Sequence, residues 1–316
     1  MKMKLVLFSL IMLTLTHTVT AQMVKEGAES LVCRQPDGKE IVVPKCPKRV
    51  VIAYGSLAKV WDLAGGTAVG VPTPSETDIL PESMRDLPKI GRSAGTPNME
   101  VIMSLNPDFV LLNAKMERHV AAAEIFRSAG INALCVEYGN YSNFHKLLDL
   151  FCRINGEDIN ENPAAKKIIE YVENICRQTK NLESPRCAVI FAAATGFSLE
   201  TTQSNTGMMA AMLNAENILK AQGSSRVNFS YEQLLIDDPD VIFVSTMGDA
   251  EVLQKKFEKE FTSQPAWKEL KAAKANRVHF LPKEYFLYVP GPDYPQGFLY
   301  LAKLLYPEEN FEEFEE

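Results

Sequence analysis

Histidine is scarce in this chain, with four among 316 residues. His17 lies in the N-terminal apolar segment, and His119, His145 and His279 stand apart, none with a neighbour at metal-ligand spacing. C-x-x-C pairs are missing too, so no resident metal site is expected. The motifs of common enzyme chemistries are absent: no G-x-S-x-G elbow, no H-E-x-x-H, no Walker-type G-x-x-x-x-G-K and no glycine-rich dinucleotide turn after a strand. No constellation demands an enzyme, and none implies a cofactor. Basic charge is not in excess: Lys and Arg total 33 against 40 Asp and Glu, a formal net charge of −7. That balance excludes the electrostatic footprint of a nucleic-acid binder. Beyond Leu15 no apolar run approaches the ~18 residues of a membrane span.

What is present begins at the N-terminus. Lys2 and Lys4 precede an apolar run from Leu5 to Leu15, and Val19-Thr20-Ala21 places slender residues before Gln22. This pattern predicts a signal peptide over residues 1–21, cleaved after Ala21, and a periplasmic mature chain. Six cysteines follow: Cys33, Cys46, Cys135, Cys152, Cys176 and Cys187. An even number in an exported chain fits disulfide bonds. The turn residues Pro36-Asp37-Gly38-Lys39 favour pairing Cys33 with Cys46. Proximity alone favours Cys176 with Cys187, and Cys135 with Cys152. The acidic tail from Glu308 to Glu316 reads as a solvated end.

The body of the chain alternates strand and helix. Arg49 to Ala53 reads as a buried strand, Leu57 to Leu63 as a helix ended by Gly65-Gly66, and Ala68 to Val71 as the next strand. Phe109 to Leu112 and Ile131 to Val136 continue the series, and Pro163 opens a long helix, Ala164 to Arg177. Alternation of this kind predicts α/β architecture with parallel strand pairing. One segment recurs. Residues 98–113, Asn98-Met99-Glu100 through Asn106-Pro107-Asp108 to Asn113, lie without a gap over residues 230–245, Ser230-Tyr231-Glu232 through Asp238-Pro239-Asp240 to Ser245. Both read as cap, helix, Pro-Asp and buried strand. The recurrence predicts two similar lobes: an N-terminal lobe over 22–158, a connecting helix over 159–183 and a C-terminal lobe over 184–316.

Ligands of open α/β sheets bind beyond the carboxyl ends of the strands. Loops at those ends supply the candidate ligand residues Tyr54, Gly55, Ser75, Arg92, Asn113, Tyr138, Thr195, Phe197, Thr246 and Tyr285. Arg226 joins Arg92 as a residue able to clamp an anion. Aromatic rings add flat apolar area with a polar handle. Such a set suits a flat or anionic ligand such as a chelated metal.

These segments resemble the substrate-binding proteins of ABC importers for iron–siderophore, haem and cobalamin-type ligands. The likeness is carried by Asp37-Gly38-Lys39-Glu40-Ile41-Val42-Val43-Pro44 with Pro47-Lys48-Arg49-Val50-Val51, and by Ile90-Gly91-Arg92 with Pro97-Asn98-Met99-Glu100 and Asn106-Pro107-Asp108. It continues through Ser230-Tyr231-Glu232 with Pro239-Asp240, then Pro265-Ala266-Trp267-Lys268-Glu269-Leu270, Asn276-Arg277-Val278-His279 and Leu304-Leu305-Tyr306-Pro307-Glu308. The resemblance implies two Rossmann-like lobes with mostly parallel sheets, joined by one long rigid helix, with the ligand cleft between them. It implies a monomer that captures a small metal chelate and docks on a membrane permease through one surface Glu per lobe, here Glu100 and Glu232. The order of expected ligands is ferric siderophore, then cobalamin, then haem, because Pro72 to Arg85 lacks a Tyr able to ligate haem iron. The chain also departs from the family at 213–217, where a Gly pair is usual and Leu213-Asn214-Ala215-Glu216-Asn217 stands instead. The competing readings are a secreted two-lobed enzyme acting on a metal chelate, which would need a nucleophile or tuned base in the cleft, and a ligand-sensing protein.

Overall fold

The computed structural model describes residues 21–74, 80–220 and 223–315. Ser75 and all of the expected signal peptide except Ala21 lie outside the described residues. The chain opens with an antiparallel meander, β1 (Gln22–Glu26), β2 (Ser30–Arg34) and β3 (Glu40–Pro44). An alternating series follows: β4 (Val50–Ile52), α1 (Gly55–Leu63), β5 (Val71–Thr73), β6 (Lys89–Arg92), α2 (Met99–Ser104), β7 (Phe109–Asn113), α3 (Glu117–Ser128), β8 (Asn132–Val136) and α4 (Tyr141–Ile154). Strands β4, β7 and β8 pair in parallel in that order. Gly70 bridges Val51, and β5 pairs with β6, which carries the sheet outward. Every residue of β7 is buried, as an apolar run covered on both faces requires.

Helix α5 (Pro163–Thr179) leads away from this lobe, with Pro163 in its first turn and the Asn162 side chain accepting from Ala165 N–H. The second lobe contains β9 (Arg186–Ala193), β10 (Gly196–Glu200), α6 (Asn205–Met212), β11 (Glu216–Asn217), β12 (Arg226–Asn228), α7 (Tyr231–Asp237) and β13 (Val241–Met247). It ends with α8 (Ala250–Phe257), α9 (Lys271–Lys274), β14 (Val278–Phe280), α10 (Lys283–Phe286) and α11 (Tyr294–Leu305). Its sheet runs β12-β10-β9-β13-β14, parallel through β9, β13 and β14, with β10 and β12 antiparallel at one edge.

The recurrent segment forms the same device in each lobe. Asn98 accepts from Val101 N–H at the start of α2, and Ser230 accepts from Gln233 N–H at the start of α7. Asn106 (φ 46°) and Asp238 (φ 40°) both turn the chain through the left-handed region, which Asn and Asp tolerate best after Gly. The Asp after each Pro then reaches back to the neighbouring strand. Asp108 accepts from Lys48 N–H at 2.7 Å and Arg49 N–H at 2.9 Å, and Asp240 accepts from Arg186 N–H at 2.8 Å. The two arginines complete the loop by donating to the last helix carbonyls, Arg49 to Leu105 and Arg186 to Asp237.

One continuous hydrophobic core crosses from lobe to lobe. Tyr141 and Phe144 of α4 pack against Tyr294 and Phe298 of α11, with ring centroids 4.9–5.2 Å apart for Tyr141–Tyr294, Tyr141–Phe298 and Phe144–Tyr294. Among the described residues no helix is long and apolar enough to cross a membrane.

One expectation needs correction. All six cysteines are free thiols. Cys33 faces Ile41 across β2 and β3, and the ladder ends at Ser30 opposite Pro44. The end of the ladder is already three residues, about 10 Å at ~3.4 Å per residue, along the ribbon from Cys33, and Cys46 lies two residues beyond it, past the ~7 Å Cα limit of a disulfide. Cys176 lies near Tyr141, whereas Cys187 lies near Tyr306. Cys135 belongs to the core on one side of the first sheet and Cys152 to the shared core on the other. The acidic C-terminal tail is solvated at every described Glu, as expected, and is also tied to α5. Tyr171 of α5 donates to the Glu312 carbonyl at 2.6 Å, and the Phe314 ring packs edge-on against Tyr171 at 5.0 Å with the Lys167 ammonium over its face.

Gly207, inside α6, is required by close packing. A Cβ there would sit 2.1 Å from the Thr201 carbonyl oxygen. Gly207→Ala should therefore cost about 1–3 kcal/mol of stability, seen as a lower midpoint in urea denaturation with an unchanged slope.

Candidate ligand-binding cleft

A cleft of ≈ 490 Å³ opens between the lobes above the shared aromatic core. The first lobe contributes strand-end and helix-start residues. Tyr54 follows β4, Lys115 follows β7, and Glu137, Tyr138 and Gly139 follow β8. Asn140, Ser142, Asn143 and Lys146 come from the start of α4. That helix divides its first turn between two tasks, since the intervening Tyr141 and Phe144 are buried in the inter-lobe core. The second lobe contributes Glu200 at the end of β10, Gln203, Ser204, Asn205 and Met208 around the start of α6, and Arg226 at the start of β12. Residues Phe286 to Val289, from the end of α10 onward, close the wall.

Hydrogen bonds fix this frame. Asn140 caps α4 by accepting from Asn143 N–H at 3.1 Å, and its amide donates across the cleft to the Gln203 carbonyl at 3.5 Å. Tyr294 O–H donates to Asn205 Oδ1 at 2.9 Å, which ties the cleft wall to the aromatic core below. Lys59 of α1 pairs with Asp293 of the second lobe at 3.2 Å.

Charge is arranged in pairs with one cation over. Lys115 meets Glu137 at 2.7 Å. Arg226 meets Glu200 at 2.9 Å, with its guanidinium stacked 3.4 Å over the Phe191 ring. Lys146 lines the cleft with no acidic side chain in salt-bridge range among the described residues. Burial pushes the Glu200 carboxyl above its ordinary pKa, against the opposing pull of Arg226 and a hydrogen bond from Ser204. Burial likewise raises the Tyr138 phenol, which stays neutral.

Of the ligand residues expected from sequence, the structure brings Tyr54, Tyr138 and Arg226 to the cleft. Gly55 lies one residue inside, its N–H donating to Ser93 Oγ at 3.1 Å. Arg92 is exposed at the end of β6 and does not line the cleft. Asn113 is buried and shapes the turn after β7 by accepting from Lys115 N–H. Thr195 is exposed at the β9–β10 turn, and Thr246 is buried in β13. Tyr285 packs against the shared core beside the lining segment. Phe197 belongs to a separate aromatic recess with Phe229, Tyr231 and Phe261. Strand-end reasoning did not select Glu137, Lys146, Glu200, Gln203, Ser204, Asn205 or Met208. The capping pattern at Asn140 and Ser204 is the signal that could have found the helix-start members.

Arg226→Ala would leave the buried Glu200 carboxylate without its cation, a destabilising change. Glu200 in the variant would have a folded pKa further above its unfolded value. Such an acid favours folding most at low pH and loses that contribution as pH rises through its folded pKa. The melting-temperature deficit of Arg226→Ala should therefore be largest at neutral pH and shrink as the pH falls toward the ~4.3 of an unfolded Glu, and this pH dependence should vanish with Glu200→Gln added.

Three comparisons bear on this geometry. The chain is 23% identical over 265 residues to the high-affinity heme uptake system protein IsdE of Staphylococcus aureus, covering 82% of this chain and 88% of that protein. An ABC transporter substrate-binding protein from Listeria monocytogenes superposes with a TM-score of 0.72 at 21% identity, over 84% of this chain and all of that one. The vitamin B12 binding protein BtuF of Vibrio cholerae superposes with a TM-score of 0.65 at 16% identity, over 83% of this chain and 98% of that one. The family model described as periplasmic binding protein matches residues 50–285, from β4 to α10, and so takes in both lobes and the helix between them: the chain belongs to the periplasmic binding protein family.

Proposed function

We propose that this chain is the extracytoplasmic substrate-binding component of an ABC importer and that its ligand is a metal chelate carrying net negative charge. The observation that carries the reading is the composition of the inter-lobe cleft. Among the described residues, Lys115, Lys146 and Arg226 face it against Glu137 and Glu200, an excess of one positive charge in a protein whose formal charge is −7. The remaining polar lining is neutral amide and hydroxyl, from Asn140, Ser142, Asn143, Gln203, Asn205 and Ser225, with Tyr54, Tyr138 and Tyr288 adding flat surface. A volume of ≈ 490 Å³ is in the range of small-molecule sites.

Among the described residues no cluster of His, Cys, Asp and Glu could hold a bare metal ion. This favours a ligand that encloses its own metal. Relatives named for haem uptake and for vitamin B12 binding support the same class. Within it, a ferric siderophore or a corrinoid suits the amide-rich lining best, since both present many hydrogen-bonding groups at their periphery. Haem is the third candidate: its iron takes axial ligands such as His, Met or Tyr, and the described cleft has no lining His but offers Met208, Tyr54 and Tyr288. Family membership supports binding and delivery over the enzyme reading. Delivery would use Glu100 and Glu232, each exposed in the first turn of the matching helix of its lobe.

Two tests follow from the cleft and the docking pair. In a thermal-shift panel of ferric siderophores, cobalamin, haem and molybdate, the cognate class at 100 times its Kd should add roughly 2.7 kcal/mol, a rise of several degrees. Lys146→Ala should weaken that ligand several-fold and flatten its salt dependence; no shift with any chelate would overturn the ligand class. Glu100→Ala combined with Glu232→Ala should abolish uptake of the identified ligand at unchanged Kd, and wild-type uptake by the double variant would overturn docking through these residues.

A further inference from the structure

The three cleft cations differ in what they can recognise. Lys115 and Lys146 present compact ammonium charges, whereas Arg226 presents the one guanidinium among the described lining residues. Its place is set by strand register. Glu200 of β10 stands opposite Arg226 of β12, and Ser198, two residues back on the same face, stands opposite Phe191 of β9. One face of this sheet edge therefore carries Phe191, Glu200 and Arg226 together. The guanidinium carbon lies 3.4 Å over the centre of the Phe191 ring, and Nε donates to Glu200 Oε1 at 2.9 Å. Phe191 and Glu200 are buried beneath it, while the Arg226 side chain keeps 45% of its exposure. Ring and carboxylate thus hold one face and one edge of the guanidinium. The other edge, Nη1 with Nη2, makes no hydrogen bond or ion pair to any described residue.

We infer that Arg226 determines ligand specificity: its free edge grips a carboxylate that the chelate carries apart from its metal-binding groups, with Glu200 and Phe191 as positioning residues. The inference rests on the metal-chelate reading above and narrows it to acid-bearing chelates. Two parallel N–H donors match the two oxygens of a carboxylate, whereas an ester or amide offers one acceptor and no charge. Two carboxylates then share one guanidinium. Glu200 faces Arg226 from β12 and the Ser204 hydroxyl from the start of α6, and the charges on the opposite wall are Lys115, Glu137 and Lys146. Burial already favours the protonated form of Glu200, and a ligand carboxylate beside it favours that form further, so capture draws a proton onto Glu200. By linkage, affinity is greatest below the pKa of Glu200 in the free protein. It falls as pH rises from there to the higher pKa of the complex.

The test is titration calorimetry of the purified protein with chelates in matched pairs: N-succinyl- and N-acetyl-ferrioxamine B, haem and haem dimethyl ester, cobyrinic acid and its heptamethyl ester. Within the pair that binds, the acid should bind roughly tenfold tighter or more. Arg226→Lys, which keeps a cation beside Glu200 but lacks the fork, should bring the two members to within about threefold. Buffers of different ionisation enthalpy should show proton uptake with the acid and none with its partner. Glu200→Gln should remove both this uptake and the loss of affinity between pH ~5.5 and ~8. Equal affinity for both members in the wild type, or a preference undiminished by Arg226→Lys, overturns the grip. A preference that depends on Arg226 but shows no Glu200-dependent proton uptake overturns the part given to Glu200 alone. Failure of all six compounds to bind overturns the metal-chelate reading and the inference with it. The wild-type comparison decides the case even where a variant fails to fold.

Discussion

The packing of Tyr141 and Phe144 against Tyr294 and Phe298 is the constraint on which the rest of the molecule depends. Two α/β lobes joined only by a helix could close or gape freely. Here their facing helices share one apolar core, so separating the lobes would expose several large rings to water, each worth about 1.5–3 kcal/mol when fully buried. The cleft lies directly above this seam. Asn140 and Asn143 present their polar groups upward from the same turn of α4 that sends Tyr141 and Phe144 downward. Tyr294 extends the link by bonding Asn205 on the opposite wall. The shared core therefore opposes separation of the walls on either side of the cleft.

The duplicated clamp gives the two lobes the same helix-to-strand turn, although their sheets differ. A helix ends in a left-handed Asn or Asp, the following Pro-Asp turns into the strand, and the Asp carboxylate takes the backbone N–H groups at the start of the adjacent strand. The Arg at that strand start then returns to the helix end. These contacts fix the angle at which α2 and α7 leave their sheets, and so the direction in which Glu100 and Glu232 point.

This device was legible in the sequence because it is local. Cap, Pro-Asp and apolar strand lie within sixteen consecutive positions, 98–113 and 230–245. The alternating strands and the long helix after Pro163 were legible for the same reason. The cleft was legible only in part. Tyr54 and Tyr138 follow strands directly and obey the strand-end rule, whereas Gln203, Ser204 and Asn205 follow an antiparallel hairpin that sequence periodicity did not distinguish from a parallel crossover. Glu200 escaped notice because its role depends on Arg226 lying opposite it across β10 and β12, a pairing between strands rather than along one. The disulfides failed on the same ground: Cys33 and Cys46 are near in sequence, but the hairpin register carries them apart.

That register leaves the protein with an unusual handle. Burial holds the thiols of Cys33 and Cys187 at pKa values of about 12, and Cys135, Cys152 and Cys176 are likewise pushed up to about 11 or 12. Cys46 alone is exposed, at the junction between the opening meander and the first lobe, where it meets the Asn155 carbonyl. A maleimide dye added to the native chain would therefore attach once, at a position outside the cleft lining, without any engineered cysteine. The wild-type protein carries its own single attachment point for following ligand capture and hand-over by fluorescence.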